Sequence, residues 1–266
     1  MKRALRAIVL SAWALAAVLW AVPSVARHYV FPAYRAQADV PADDAVTLSL
    51  RAKDGVAVHA LELEGPPGAP IVVHFHNNSE TASAPLAIAR ELRARGLGVL
   101  LVEYRGYGMS RGSEPSEQGL YLDAEAALDV LSQRGIGPSR IVLWGTSLGT
   151  GVAAEMARRG RAGALVLVSP YTSIPALVRD AAPMVPADTL MPDHFDTLAK
   201  ASQIRVPTLV IHGDADEIVP FWMGQRVAGA IEGASFLRVS GGHHGDLFVR
   251  DGAHLVDAIA TLALHS

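Results

Sequence analysis

Two serines in this chain sit in the pattern G-x-S-x-G. One is Gly145-Thr146-Ser147-Leu148-Gly149 and the other is Gly108-Met109-Ser110-Arg111-Gly112. A serine hydroxyl becomes a useful nucleophile when a neighbouring base takes its proton and fixed donors meet the negative charge that then develops. Three fixed positions in five are weak evidence, so the surroundings decide. Ser147 follows the apolar run Ile141-Val142-Leu143-Trp144 and precedes Leu148 to Arg159, which has a helical pattern. That is a strand running straight into a helix, with the serine at the apex of a strained turn. Gly145 and Gly149 leave room where a Cβ would collide, and Gly151, Ala153 and Ala154 let the helix lie close to a sheet. Ser110 instead enters a loop with Gly112, Ser113 and Pro115 and reads as a turn residue bonded to its own backbone.

The partners of Ser147 should come from loops after other strands. The backbone N–H of Leu148 opens a helix, where the helix dipole favours a developing oxyanion. A second donor is expected from His76-Asn77-Asn78-Ser79, with the N–H of Asn77 or Asn78 as the candidates. His74 and His76 share a strand face, but no further ligand stands near them in sequence, so neither a metal nor a cofactor is expected. An acid follows Val210-Ile211-His212-Gly213, where Asp214, Asp216 and Glu217 compete. A histidine base follows Ser235 to Val239, in Gly241-Gly242-His243-His244-Gly245, and one of the pair should reach the serine.

These loops need a frame. Val46 to Leu50 and Val56 to Glu64 alternate around Asp54-Gly55, a hairpin signal. Buried-type apolar runs follow at Ile71 to Phe75, Val99 to Tyr104, Ile141 to Trp144, Ala164 to Val168 and Thr208 to His212. Leu120, Ala124, Ala127, Leu128 and Leu131 share one helical face, as do Leu255, Ala258, Ile259 and Leu262. Strands alternating with helices predict an α/β fold with a mostly parallel central sheet covered on both faces. The stretch 171–205 holds Pro175, Pro183, Pro186 and Pro192 with short helical pieces and reads as a small lid insertion. Its Ala182, Met184, Val185, Leu190 and Met191 are apolar and adaptable; if they line the site, they favour an acyl chain or other hydrophobic group.

With these residues in place, the chain resembles the alpha/beta-hydrolase fold serine hydrolases. It looks most like a membrane-anchored branch that includes protein-depalmitoylating hydrolases and bacterial members. The likeness runs from Val46 to Leu264. It is carried by the His76 region, by Tyr104-Arg105-Gly106-Tyr107-Gly108-Met109-Ser110 with Gly119 to Asp123, by the Gly145 to Gly149 turn, and by His212-Gly213 through Asp216 to Val219-Pro220. The resemblance implies that Ser147 is the nucleophile, Asp216 the triad acid and His243 the base, with Asp214 and His244 as second choices. It implies oxyanion donors at Leu148 and Asn78, with Asn77 as second choice, and makes Arg105 to Ser110 scaffold. Where the family commonly has His-Gly-Asn-Ala, this chain has His76-Asn77-Asn78-Ser79, so an asparagine replaces a glycine. The implied reaction is cleavage of an ester or thioester through an acyl-serine. A peptidase or amidase on the same triad, or a non-catalytic surface-binding member of the fold, are the alternatives.

Composition narrows the remainder. The chain has 266 residues, no cysteine and a net charge of -3, which excludes a disulfide framework and a thiolate nucleophile and argues against nucleic acid as a partner. Lys2, Arg3 and Arg6 precede a run from Ala7 to Ala26 whose only interruptions are Ser11, Pro23 and Ser24. About 20 apolar residues can span a bilayer with the basic end inside, which predicts an N-terminal anchor and an exported domain. Ser24 and Ala26 would equally serve a signal peptidase, giving a secreted or periplasmic form. The expected organisation is residues 1–32 as this anchor or signal, 33–45 as linker and 46–266 as one catalytic domain.

Overall fold

Eight short runs rich in Val, Leu and Ile pair into one sheet in a computed structural model that describes residues 24–32 and 43–266. The strands are β1 (Val46–Arg51), β2 (Ala57–Leu63), β3 (Ile71–Phe75), β4 (Gly98–Glu103), β5 (Ile141–Thr146), β6 (Ala164–Val168), β7 (Thr208–Gly213) and β8 (Ser235–Val239). Their order across the sheet is β1-β2-β4-β3-β5-β6-β7-β8. β2 runs antiparallel to β1 and to β4, and every pairing from β4 to β8 is parallel. The β1–β2 turn is the one signalled by Asp54-Gly55, with Gly55 at φ 86°.

Both faces of the sheet are covered, which is why its central strands are apolar at successive positions. On one face Val73, Phe75, Leu143, Leu165, Leu167 and Val210 meet the helices Glu117–Gln133, Leu148–Arg158 and Phe221–Ala230. On the other, Val72, Val142, Trp144, Val166 and Ile211 meet Leu86–Ala94 and Leu247–His265. The result is the mostly parallel, doubly covered sheet expected from the strand and helix rhythm, in the alpha/beta-hydrolase arrangement that the resemblance implied. Between β6 and β7 the chain forms three short helices, Ile174–Ala181, Ala187–Leu190 and Thr197–Ala201. Ser173 and Asp196 cap the first and third by accepting from the N–H of Ala176 and Ala199.

Residues 24–30 are helical, and Phe31 just after them is buried with its ring 6.1 Å from that of Phe195. Most of the Ala7 to Ala26 run and most of the 33–45 linker lie outside the described residues. Among the described residues no helix is long and apolar enough to cross a membrane.

The loop after β4 is tied down by one buried cation. Arg105 donates from Nε and Nη2 to the Asp123 carboxylate at 2.9 and 2.7 Å, and from Nη1 to Asp54 at 2.6 Å. Burial pushes the Asp123 carboxyl up, and Arg105 works against that. The cluster joins the β1–β2 turn, the β4 exit and the helix Glu117–Gln133. Arg105→Ala would leave the Asp123 carboxylate buried without its cation, so unfolding in urea should show a loss of about 3–5 kcal/mol. Arg105→Lys should recover only part of that, because the planar fork is lost.

Candidate active site

Ser147 stands where β5 turns into the helix Leu148–Arg158, at φ 49° and ψ −114°. A side chain in that region costs of order 1–3 kcal/mol unless its surroundings enforce it. They do so here. The Ser147 N–H donates to Val168 O at 2.9 Å, and its carbonyl accepts from the Thr150 hydroxyl at 2.6 Å. A Cβ on Gly149 would lie 2.0 Å from Phe75 O, and one on Gly145 would lie 2.4 Å from Gly149 O. Only glycine at both positions lets the helix start this close to β3 and β5.

The imidazole that meets the serine is His244. Its Nε2 is 3.0 Å from Ser147 Oγ, and its Nδ1 is 2.8 and 3.0 Å from the two Asp216 oxygens. The neutral ring with its proton on Nδ1 donates to Asp216 and accepts from the serine hydroxyl at Nε2. His243, which the resemblance favoured, points away. Its N–H donates to Asp246 Oδ1 at 2.7 Å, and its exposed ring sits 3.0 Å from Glu217 Oε2. The two rings meet different partners, and of the pair only His244 reaches Ser147. Just before the pair the loop packs tightly on the end of β7, where a Cβ on Gly213 would lie 2.2 Å from Gly242 O.

Asp216 is the acid in contact with this ring. Its side chain is fully buried. Oδ1 accepts from the N–H of Ile218 and Val219 at 3.0 and 2.8 Å, and Oδ2 lies 3.3 Å from His212 Nε2. Burial alone would raise this carboxyl. The contacts from His212 and His244 and the Val219 N–H outweigh it and hold the group far below the ordinary carboxylate range. Asp214 has other work: it accepts from Gly241 N–H at 2.6 Å and from Arg238 Nε at 2.6 Å, bracing the histidine loop against β8. Glu217 is engaged by His243. His212, buried behind Asp216, also donates to Val219 O at 3.0 Å. Sequence reasoning quoted His212 as part of a block and assigned it no task.

Leu148, Asn77 and Asn78 border the same cavity as Ser147 and His244. The loop holding the two asparagines is well braced. Asn77 Oδ1 accepts from the Ser79 N–H at 2.8 Å, while Asn78 O accepts from the Tyr107 hydroxyl at 3.0 Å. Glu103, at the end of β4, faces His76 Nε2 at 3.2 Å and accepts from Ala82 N–H at 3.3 Å, so it holds both ends of the loop. Ser147, Ser169 and Phe195 are the non-glycine residues at positive φ among those described. Asn77 is not one of them, so it stands in the glycine's place without left-handed strain. His74 is turned to Thr146 Oγ1 at 3.2 Å and lies tilted against the Trp144 ring with centroids 4.0 Å apart, whereas His76 packs on Tyr104 and Tyr107.

Ser110 Oγ lies 3.4 Å from His59 Nδ1, but no carboxylate pairs with that ring among the described residues, so no acid–base relay stands behind this serine. Its buried hydroxyl accepts from His59 N–H at 2.9 Å and contacts Glu103 O at 3.3 Å, joining β2 to β4. The bond to a neighbouring strand, as well as the turn backbone, fixes this residue.

In front of Ser147 lies a cavity of about 660 Å3, walled by Ile174, Leu177, Val178, Met191 and Tyr171. Among the apolar lid residues named from the sequence, Met191 lines it. Ala182, Met184, Val185 and Leu190 do not, and Met184 is 95% exposed. The helix Ile174–Ala181 supplies the apolar wall in their place. Its Ile174, Leu177 and Val178 recur at helical spacing and face the serine. A second wall, from residues 26–32, had no counterpart in the sequence reading, because that stretch was assigned to the anchor.

Known proteins resemble this chain over most of its length. A family model described as "Serine aminopeptidase, S33" matches residues 67–195. The chain is 40% identical over 192 residues to an uncharacterized protein of Mycobacterium tuberculosis, covering 71% of this chain and 68% of the relative. It is 35% identical over 187 residues to the protein bem46 of Schizosaccharomyces pombe, covering 65% and 61%. Among solved structures, the Pyrococcus furiosus esterase Pf2001 superposes with a TM-score of 0.70 at 15% identity, covering 85% of this chain and 96% of the esterase. The esterase RhEst1 of Rhodococcus sp. ECU1013 gives a TM-score of 0.69 at 19% identity, covering 82% and 98%. With a strained serine between β5 and its helix, and relatives of this kind over most of its length, the chain belongs to the alpha/beta-hydrolase family of serine hydrolases.

Proposed function

We propose that this protein hydrolyses carboxylic esters or thioesters with hydrophobic acyl groups through an acyl-serine intermediate. The observation that carries this reading is the unbroken hydrogen-bonded path Ser147–His244–Asp216. His244 Nε2 takes the Ser147 proton as Oγ bonds to the substrate carbonyl carbon. Asp216 orients the ring and offsets the charge of the imidazolium. The N–H groups of Leu148 and Asn78 meet the tetrahedral oxyanion. The imidazolium then gives its proton to the leaving alcohol or thiol as the carbon–oxygen or carbon–sulfur bond breaks. Water, deprotonated by the same ring, releases the acid. No step calls on a metal or cofactor.

The family model's description raises an aminopeptidase reading. A free α-amine is held by carboxylates, and the cavity lining contains neither Asp nor Glu among the described residues. Its polar lining is Asn77, Asn78, Ser79, His28 and the two reacting groups, against an apolar majority. That balance favours an ester with an apolar acyl part. In the same reading, the Ala7 to Ala26 run holds the domain at a membrane on the exported side or directs its secretion, which brings the cavity to lipid-derived substrates.

A fluorophosphonate probe should label the parent protein and fail on Ser147→Ala. Failure to label the parent at Ser147 would sink the proposal. His244→Ala should lower kcat on an activated ester by on the order of 10^4-fold or more, and Asp216→Asn by about 10^4-fold. His243→Ala should stay within about threefold, because its ring touches Glu217 and not the serine. The reverse ranking of the two histidine variants would assign the base to His243.

Asp216 also makes stability depend on pH. Its folded value lies below the ordinary one near 3.8, so its ionised form contributes stability that is fully present above that value and is lost as pH falls below it. Urea unfolding should therefore show the parent more stable than Asp216→Asn at pH 7, with the gap narrowing from about pH 5 downward. A gap that widens on acidification would contradict the assigned contacts.

A further inference from the structure

We propose that residues 26–32 are a working part of the active site: they form the wall of the acyl cavity that sets which acyl groups enter. The proposal rests on the hydrolase reading above and deepens it. Ala26, His28, Tyr29, Val30 and Pro32 border the same cavity as Ser147 and His244. Ile174, Leu177, Val178 and Met191 border it too, so an acyl group leaving the serine meets mainly apolar side chains from two segments far apart in the sequence.

The wall is held by three unlike ties. Arg27 Nε donates to Asp193 Oδ2 at 2.8 Å, and the other oxygen of that buried carboxylate accepts from Glu117 N–H at 2.8 Å. Asn78 Nδ2 donates to Val30 O at 3.1 Å. Phe31 packs edge-on against Phe195. The Asn78 tie matters twice, because its backbone N–H is the proposed second oxyanion donor. The segment thus touches both the acyl slot and the loop that steadies the reacting oxygen. A segment that only passed over the surface would have no reason for a buried carboxylate at one end and a buried aromatic at the other.

The rim tells what may pass. Tyr29 and Ile218 border the cavity and are 76% and 55% exposed, and neither carries charge. A slot with apolar walls and an apolar rim admits an unbranched hydrocarbon chain more readily than a polar or charged acyl group. Covalent continuity places this rim at the end of the Ala7 to Ala26 run.

The test uses the full chain and p-nitrophenyl esters graded from acetate to decanoate. Val30→Trp fills the slot from the segment side, and Tyr29→Asp places a charge on its rim. Each should lower the decanoate-to-acetate ratio of kcat/KM by about tenfold or more, and Val30→Trp should move the preferred ester to a shorter chain. A ratio within about twofold of the parent in both variants overturns the proposal. So does an equal loss on every ester accompanied by a lower melting midpoint, which would make the segment a folding element only. A parent protein that takes no fluorophosphonate on Ser147 and turns over no ester would instead bring down the hydrolase reading itself, a result distinct from either.

Discussion

The site depends on one close approach, the first turn of the helix Leu148–Arg158 against the ends of β3 and β5. At this point a methyl group on Gly149 would sit inside the Phe75 carbonyl. Because the helix begins so near the sheet, the connection has a single residue in which to turn, and that residue is forced to positive φ. The strain presents the Ser147 hydroxyl to the loops at the strand ends, and it puts the N–H of Leu148 at the head of a helix. The proposed nucleophile and the proposed oxyanion donor are thus two consequences of one packing constraint. The sheet supplies the rigidity that keeps the strained turn from relaxing.

The other members of the site arrive on separate loops at the same end of the parallel strands. Each loop is braced by side-chain or backbone groups with no part in the proposed chemistry. Glu103 holds the asparagine loop, Asp214 holds the histidine loop through Gly241, and the N–H groups of Ile218 and Val219 hold Asp216. Polar bracing of this kind is costly to bury unless every partner is met. It explains why carboxylates that look like spare acids in the sequence are occupied elsewhere. Further from the serine, Arg105 joins three elements through Asp123 and Asp54, and Ser110 joins β2 to β4. The region that carried the strongest scaffold resemblance is therefore a set of ties between the antiparallel edge and the parallel centre of the sheet.

Most of the frame was legible because its signals are local. All eight strands lie within a residue or two of the apolar runs that predicted them, and the turn around Asp54-Gly55 and the helix after Ser147 fall where spacing put them. Buried parallel strands must be apolar on both faces, and that leaves a mark that a linear reading detects. The helices Leu86–Ala94 and Phe221–Ala230 were not singled out. Each buries few residues, Ala89 and Leu92 in one and Met223, Gly224, Val227 and Ala228 in the other, so their apolar stripes are narrow. The lid residues failed for a related reason. Composition marked Met184 and its neighbours as apolar, but only packing decides whether an apolar side chain turns inward, and Met184 turns out to solvent.

By itself the sequence determined the order and type of the elements, the choice of Ser147 over Ser110 and the neighbourhood of the acid and the base. These follow from periodicity, glycine placement and the strand-to-helix context, all properties of contiguous residues. Tertiary structure decided which histidine of the adjacent pair meets the serine. His244 faces the serine, and His243 is turned to Glu217. It also decided that His212 backs the acid and that residues 26–32 close the cavity. Direction and long-range contact set those outcomes. The two rings meet partners far away in the sequence, and residues 30 and 78 meet only after the chain has folded, so no local pattern encodes either.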